Sequence, residues 1–294
     1  MHDGSVEYND NWCAPDDDVM LDLRKSYREL ESWLTSFRGS YYNAGEARAR
    51  AGLDEPDLDE RNRIARDLRL IRDCRIALVG ENCAEYPRRA ADLLGEKRPG
   101  LLFMSGNTTL LDRPAVFVCG SRNTSQAGRD IAYRIGRLVA GAGYVVISGF
   151  ARGIDAEAHR GALEGGGETI AVLPYGLGRF RAGKDFADII EEDNFLALSE
   201  LPPSCGFITK GALRRNRLMV SLAGAVVVVE PGESGGTWYS ASQAALLGIP
   251  LFYHGGERRE TETRLDKMGG KKISLRKDTP VLDDVFACIE NQSD

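Results

Sequence analysis

The sequence predicts an α/β protein built on a doubly wound, mostly parallel Rossmann-like sheet, with a small helical N-terminal region. From residue 77 onward, short apolar runs alternate with helix-length amphipathic segments, which is typical of a parallel sheet covered by helices. The run AVVVVE at residues 225–230 is almost entirely apolar, as expected for a strand buried on both faces. We therefore divide the chain into an N-terminal region, residues 1–76, and a sheet domain, residues 77–294.

The N-terminal region contains two helical patterns after an acidic, polar segment at residues 1–18. The first pattern spans residues 19–37, and the second, clearer one spans residues 59–74. The second helix has an apolar stripe formed by Ile64, Leu68 and Ile71. Its other faces carry Arg61, Arg63, Arg66, Arg69 and Arg72. A solvated helix face is the ordinary explanation of such a charge run, and a partner or nucleic-acid surface is the alternative.

The sheet domain reads as eight strands separated by helices. Strands are predicted at 77–79, 101–104, 115–119, 144–147, 169–173, 196–199, 225–229 and 250–253. Helices are predicted at 126–142, 155–164, 186–192, 216–222 and 240–248. Ligands of such sheets bind at the carboxyl ends of the strands.

Composition narrows the class of protein. The chain is 43% hydrophobic and 28% charged, which is ordinary for a globular protein. No run approaches the roughly 18 apolar residues of a membrane span, so we expect no membrane contact and a cytoplasmic location. Six scattered cysteines without a C-x-x-C pair favour free thiols over a zinc site, and we expect no metal and no cofactor. The net charge of −6 does not exclude nucleic acid, because a basic patch can lie on an acidic protein.

Glycine, hydroxyl and basic residues follow several predicted strands. Glycine lets a backbone approach an anion, amides at a helix start donate to it, and arginine binds it bidentately. The sequence therefore predicts an anion site at this edge of the sheet. Its candidate residues are Gly120, Ser121, Arg122, Ser148, Gly149, Arg152, Gly153, Gly176, Arg181, Lys184, Ser234, Gly235, Gly236 and Thr237.

Two residues near the second of these turns have structural explanations. Asp155 stands where a helix N-cap is expected, and His159 can be a packed or hydrogen-bonded residue four positions later. Arg152 and Gly153 either face the ligand or hold the turn. No Ser-His-Asp or Cys-His arrangement is evident, so we predict no catalytic residue.

The segment from about Tyr86 to Gly255 resembles the DprA/Smf family of DNA-processing proteins. The resemblance rests on VFVCGSR, on SGFARGIDAEAHRGALEGGGETIAVLPYGL and on Glu230 followed by SGGTWYSA. It adds Arg215, Asn216 and Arg217 to the candidate site. It implies a nonenzymatic protein that binds single-stranded DNA, forms a homodimer and helps to load a RecA-type recombinase in DNA uptake or recombination.

The resemblance is incomplete. Ala212 and Leu213 stand where the family usually has Phe-Pro, and Gly235 replaces a serine. We also expect a divergent member without the family's winged-helix tail. Tyr175 or Phe180 could stack on a base, although Phe180 could equally be a buried loop anchor.

The alternative function is a small-nucleotide pocket, either a sensor or a phosphoribohydrolase of the lysine-decarboxylase-like (LOG) type. PGESGGT is similar to the P-G-G-x-G-T turn of those enzymes. Ser240, however, stands where an acidic residue is expected, and glycosidic cleavage requires a carboxylate.

Overall fold

The central feature of the computed structural model, which describes residues 58–81, 83–255 and 259–292, is a nine-stranded sheet. The strands are β1 (Ala77–Gly80), β2 (Leu101–Gly106), β3 (Ala115–Gly120), β4 (Val145–Ser148), β5 (Thr169–Leu173), β6 (Phe195–Ser199), β7 (Ala225–Val229), β8 (Leu251–His254) and β9 (Lys271–Lys272). Their order across the sheet is β1-β2-β6-β5-β4-β3-β7-β8-β9. Strands β3 to β9 run parallel to one another, and β2 is antiparallel to both of its neighbours, β1 and β6. The predicted mostly parallel, Rossmann-like sheet is confirmed.

Helices cover both faces of this sheet. They are α1 (Leu58–Asp73), α2 (Arg88–Leu94), α3 (Gln126–Gly141), α4 (Ile154–Glu164), α5 (Lys184–Ala187), α6 (Thr209–Leu222), α7 (Gly236–Leu247), α8 (Arg259–Asp266) and α9 (Asp283–Glu290). A hairpin of β10 (Leu275–Arg276) and β11 (Thr279–Pro280) precedes α9. Helices α3, α4 and α9 share one face with α1, and α2, α6 and α7 pack on the other. In the described part of the chain, no helix combines the length and hydropathy needed to span a bilayer.

Helix α1 packs directly on the sheet domain. Leu68 and Ile71 contact the cluster around Phe103, Leu173 and Phe195. Leu68 and Ile71 of the predicted apolar stripe therefore face the sheet, which brings part of the N-terminal region against β2, β5 and β6. The helix predicted at residues 19–37 and the acidic segment of residues 1–18 lie outside the described residues.

Helix boundaries were the weakest part of the prediction. Helix α6 begins seven residues before the predicted start at Asn216, and α7 begins four residues before Ser240, because glycine and arginine near their starts hide the apolar periodicity. The helix predicted at 186–192 is instead the single turn Lys184–Ala187. It stops there because the Asn194 side chain accepts from the Glu191 amide (2.9 Å) and donates to the Ile189 carbonyl (3.0 Å), which folds the chain back.

The sequence reading did not include α2, α8, α9 or the β10–β11 hairpin. These elements are short, and none of the three helices exceeds eight residues. A hydrophobic period is difficult to recognise over so few residues.

Helices α3 and α4 approach so closely that glycine is required where they cross. A Cβ atom on Gly161 would lie 2.0 Å from the Tyr133 carbonyl oxygen, and one on Gly136 would lie 2.2 Å from that of Ala158. Both obstacles are backbone atoms, which cannot move aside as a flexible side chain can. This crossing fixes the two helices that start at the β3 and β4 loops.

We expect Gly161→Ala to destabilise the protein by about 2–3 kcal/mol, because the added methyl overpacks a backbone-to-backbone contact. Gly141→Ala is the matched control, since its Cβ would meet no described atom within 4 Å and alanine favours the helix. Urea denaturation of both variants measures the difference. Equal stability of the two would contradict the close crossing.

Candidate functional site

The loops that follow β3, β4, β5, β6 and β7 meet at one edge of the sheet, which we call the carboxyl edge. Gly120 ends β3, Gly149 follows β4 directly, and Gly176 and Gly232 lie three residues beyond β5 and β7. Because the strands are parallel, these four glycines lie at the same edge, as the sequence predicts.

The glycines of this edge are needed where neighbouring loops touch. A Cβ on Gly120 would lie 2.1 Å from the Val229 carbonyl oxygen, and one on Gly176 would lie 1.9 Å from that of Pro202. Gly153 has φ +92° and packs against the Ser121 carbonyl, where a Cβ would come within 2.5 Å. At these positions glycine serves loop packing.

Several predicted site hydroxyls also bind within the protein. Ser148 is buried and donates to the Val118 carbonyl at 2.6 Å, which links β4 to β3. The Ser121 hydroxyl accepts from the Asn123 amide (3.1 Å), and Thr237 donates to the Gly120 carbonyl (3.0 Å). These groups shape the loops.

Glu230 closes the start of α3. Its carboxylate accepts hydrogen bonds from the Thr124 hydroxyl (2.6 Å), the Ser125 hydroxyl (2.6 Å) and the Ser125 amide (3.0 Å). Ser125 is the N-cap, and its hydroxyl accepts from the Gly128 amide at 2.9 Å. Burial alone would raise the pKa of Glu230, but these hydrogen bonds outweigh it and hold the pKa below its usual value.

The position of Glu230 bears on where an anion could bind at the carboxyl edge. A helix start attracts negative charge through its free amides and its dipole. At α3 a carboxylate of the protein itself already occupies this position. Helix α7, by contrast, starts after the exposed residues Ser234 and Gly235, and its N-cap Gly235 provides no side-chain cap.

Asp155 is not the N-cap of α4, contrary to the prediction. The N-cap is Gly153 and the helix begins at Ile154, so Asp155 is the second helical residue. Its carboxylate accepts from the Gly149 amide at 3.2 Å and so holds the preceding loop. Burial raises the pKa of Asp155, and the charge of Arg215, the amides of Ala151 and Gly149 and the charge of Arg122 oppose that rise.

Arg215 lies beneath the loops rather than on the surface. It is only 5% exposed, its Nη1 donates to the Val172 carbonyl at 2.7 Å, and a Cβ on Gly149 would lie 1.9 Å from that nitrogen. Burial lowers its pKa to about 10, and the carboxylate of Asp155 partly offsets this. Its Nε has no hydrogen-bond partner among the described residues.

The neighbours of Arg215 in the sequence brace other loops. The Asn216 amide donates to the Gly236 carbonyl (3.0 Å) at the start of α7, and Arg217 donates to the Lys97 carbonyl (2.6 Å). The triplet Arg215-Asn216-Arg217 thus reaches three different segments from one helix. All three side chains donate to backbone carbonyls, and their contact with a ligand stays a prediction.

A second set of predicted residues is exposed at the carboxyl edge. Arg122, Arg152 and Lys184 are exposed and form no hydrogen bond or ion pair with any described residue. Arg181 is exposed and donates only to carbonyl oxygens, those of Phe180 and Gly178. These cations keep their charge free for a ligand.

Two further exposed residues at this edge are not among the candidates predicted from the sequence. Arg179 is exposed and donates through Nε to the Ser204 carbonyl at 2.8 Å. Phe207 is 54% exposed and lies between Cys205, whose carbonyl accepts from the Gly176 amide, and Ile208, which precedes α6. The sequence feature that could have indicated exposure of Phe207 is its position as a single aromatic residue directly after the loop segment Pro-Ser-Cys-Gly.

Aromatic residues pack beneath the β4 and β5 loops. Phe150, which has φ +53°, contacts the rings of Phe180 and Phe186 at centroid distances of 5.2 and 4.7 Å. Phe180 also stacks on Phe195. The interpretation of Phe180 as a loop anchor fits this packing better than a role in base stacking.

His159 is a buried structural residue, as the sequence analysis allowed. The Thr169 hydroxyl donates to the Val146 carbonyl at 2.7 Å, so it must accept from His159 Nδ1 at 2.5 Å. Burial, with a smaller effect of Arg215, lowers the pKa of His159 to about 3. The ring is therefore neutral at physiological pH.

Comparison with known proteins identifies similar chains. A family model described as DNA recombination-mediator protein A matches residues 77–272. The DNA processing protein DprA of Streptococcus pneumoniae is 37% identical over 158 residues, which cover 52% of this chain and 55% of that protein. Protein Smf of Escherichia coli is 35% identical over 157 residues, covering 52% and 42%. The chain spans about half the length of the curated relatives it matches.

Solved structures agree with this similarity. The X-ray structure of DprA from S. pneumoniae matches with a TM-score of 0.64 and 26% identity, over 90% of this chain and 97% of that one. The DprA structure from Helicobacter pylori, whose title describes a single-stranded DNA binding mode, matches with a TM-score of 0.58 and 25% identity, over 74% and 95%.

We expect Glu230→Gln to lower the free energy of unfolding by about 1–2 kcal/mol at pH 7, because charge-assisted hydrogen bonds to the α3 start become neutral ones. The pKa of Glu230 is lowered in the folded state, so the ionised carboxylate stabilises the fold above its usual pKa of about 4.5. That contribution is lost as the pH falls through the lower, folded-state value. Thermal melting from pH 7 to pH 3 should show the two proteins converging in acid, whereas a constant difference would contradict the assignment.

Proposed function

Because the chain belongs to the DNA recombination-mediator protein A family, we propose that it binds single-stranded DNA along the carboxyl edge of its sheet. The observation that carries this proposal is a set of exposed cations that pair with no acidic residue in the described part of the chain: Arg122, Arg152, Arg181 and Lys184. A backbone of phosphates is the ligand that such a row of separate positive charges fits. The single-stranded DNA binding mode described for the H. pylori relative supports the choice of strand.

Arg122 has the central position in this proposal. It follows β3 in the loop held by Ser121 and Gly153, and its charge is near enough to lower the pKa of Asp155. It nevertheless forms no ion pair with Asp155 or Glu200, since Glu200 pairs with Arg214 at 2.7 Å. A free guanidinium above a braced loop can bind a phosphate bidentately without first breaking an internal contact.

Binding of a single strand also requires an exposed aromatic side chain on which bases can stack. Proteins that bind single strands stack bases on aromatic rings, which every base can do. Phe207 is the exposed aromatic at this edge, whereas Phe180 packs inward. We assign the stacking role to Phe207.

The finer role extends the same proposal. We propose that the bound strand is delivered to a RecA-type recombinase by a homodimer of this chain in the cytoplasm; the family description, a recombination mediator, supports a role of this kind. Since the chain covers about half of its curated relatives, the activity of those whole proteins stays a proposal here.

We expect Arg122→Ala to weaken binding of an oligo-dT strand about ten- to a hundredfold at low salt, because one charge-assisted phosphate contact is lost. The slope of log affinity against log salt should fall by about 0.7. Fluorescence anisotropy over a salt series measures both. The melting temperature should change little, since Arg122 forms no hydrogen bond or ion pair with a described residue and its charge has only the smallest of the effects on the pKa of Asp155.

Arg137→Ala is the matched control for Arg122→Ala. Arg137 is also exposed, but it lies near the end of α3 that points away from the carboxyl edge. A variant of Arg122 that melts earlier and binds normally would show that this arginine holds the loops, and would overturn the proposed contact.

We expect Phe207→Ala to weaken the same binding by about 1–3 kcal/mol while leaving the salt slope unchanged, because stacking involves no counterion release. Leu246→Ala, at an exposed apolar residue of α7, is the control. An altered slope with unchanged affinity at low salt would refute the stacking role.

A further inference from the structure

Helix α1 carries exposed arginines that the sheet-edge site does not include. Among those singled out in the sequence, Arg66, Arg69 and Arg72 are described as exposed. Arg72 pairs with Asp73 at 2.9 Å. Arg66 and Arg69 form no hydrogen bond or ion pair with any residue that the structure describes.

The sequence around these two arginines differs from that of an ordinary solvated helix face. Such faces pair opposite charges three or four residues apart. Arg66 has no acidic residue at these spacings, and the only one available to Arg69 is Asp73, which Arg72 already contacts. Among the described residues, these two positive charges therefore have no acidic partner, on a protein of net charge −6.

Helix α1 is fixed to the loops of the carboxyl edge. Asp67 is fully buried, and its Oδ1 accepts from the Ser204 amide, beyond β6, at 2.6 Å. One turn later, Leu70 packs against Gly178, beyond β5, where a Cβ would lie 2.7 Å from Leu70 Cδ1. The middle of α1 is thus held against two of the loops that carry the proposed DNA site.

Helix α1 is connected to loops that carry the edge cations. Ser204 links them, because its amide donates to Asp67 while its carbonyl accepts from Arg179 Nε at 2.8 Å. Cys74 directly follows the C-terminal end of α1. Burial raises the pKa of this thiol, and the nearby charge of Arg181 partly offsets the rise. Arg66 directly precedes Asp67, the residue whose carboxylate holds the Ser204 loop, in the chain.

We propose that α1 is a second segment of the DNA path, in which Arg66 and Arg69 bind phosphates of a strand that continues from the carboxyl edge past Arg179. This inference rests on the proposed function, because it takes the strand at the sheet edge as given. Phosphate is the partner of choice, since exposed guanidinium groups without local acids bind it bidentately and in any sequence context. The consequence is a binding site whose footprint is longer than the sheet edge alone.

The test compares two oligo-dT lengths, on the order of 6 and 25 nucleotides, a range around the site sizes of single-strand binding folds. The variant is Arg66→Ala with Arg69→Ala, and alanine preserves the helix. The matched control removes two exposed arginines elsewhere, Arg137→Ala with Arg276→Ala. Binding is measured by anisotropy over a salt series with the full chain, after melting curves confirm folding.

For the longer strand we expect the α1 variant to lower the salt slope by about 1.4, two phosphates at about 0.7 each, while the control keeps the wild-type slope. For the short strand both variants should bind as the wild type does. If the wild type binds both strands and the α1 variant matches the control, this inference is wrong and the proposed function stands. Equal losses on both strands would place the arginines in the edge site and also overturn the extension. If the wild type binds neither strand, the proposed function fails and the inference with it.

Discussion

The contact between the Arg215 guanidinium and the Val172 carbonyl, directly beneath Gly149, is the interaction on which the carboxyl edge depends. A buried charge of this kind is costly unless it is paired and hydrogen-bonded. Asp155 faces it from α4 and at the same time accepts from the Gly149 amide. Removing the guanidinium would leave Asp155 without its counter-charge under a loop that has no room to rearrange.

From this foundation the polar residues of the edge divide into two layers. The inner layer, which includes Ser148, Asn216 and Glu230, binds to the backbone and to neighbouring loops. The outer layer consists of exposed cations, including Arg122 and Arg152, that form no hydrogen bond or ion pair with a described residue. The inner layer gives the outer one its position, so residues of both layers matter for a ligand even though only one layer would touch it.

The sequence was sufficient for the sheet and for the edge at which the site lies. Continuous apolar strands and a glycine after each of several strands determine both, because parallel strands bring their carboxyl ends together. It was not sufficient to separate the two layers. Arg215 and Arg122 are the same residue type near similar turns, and only the packing of α6 against the sheet buries one and leaves the other in solvent.

Other features were hidden for related reasons. Glu230 follows an apolar strand, as any residue of a βα turn does. Its hydrogen bonds at the start of α3 come from Thr124 and Ser125, about a hundred residues earlier in the chain. Asp155, expected at the N-cap of α4, lies two positions after it, because a glycine with φ +92° can take the N-cap position as an aspartate does. Such contacts belong to the tertiary structure, and the local spacing of residues does not predict them.

The distribution of free cations over separate loops has a kinetic consequence. A ligand held in one enclosed pocket must break all of its contacts together before it can dissociate. A polyanion held at Arg122, Arg152 and Arg181, which lie in the loops after three different strands, is bound multivalently. Competing groups could displace such a chain one phosphate at a time, so under the proposed function an edge of this design would transfer a bound strand to a second protein by gradual displacement, without first releasing it into solvent.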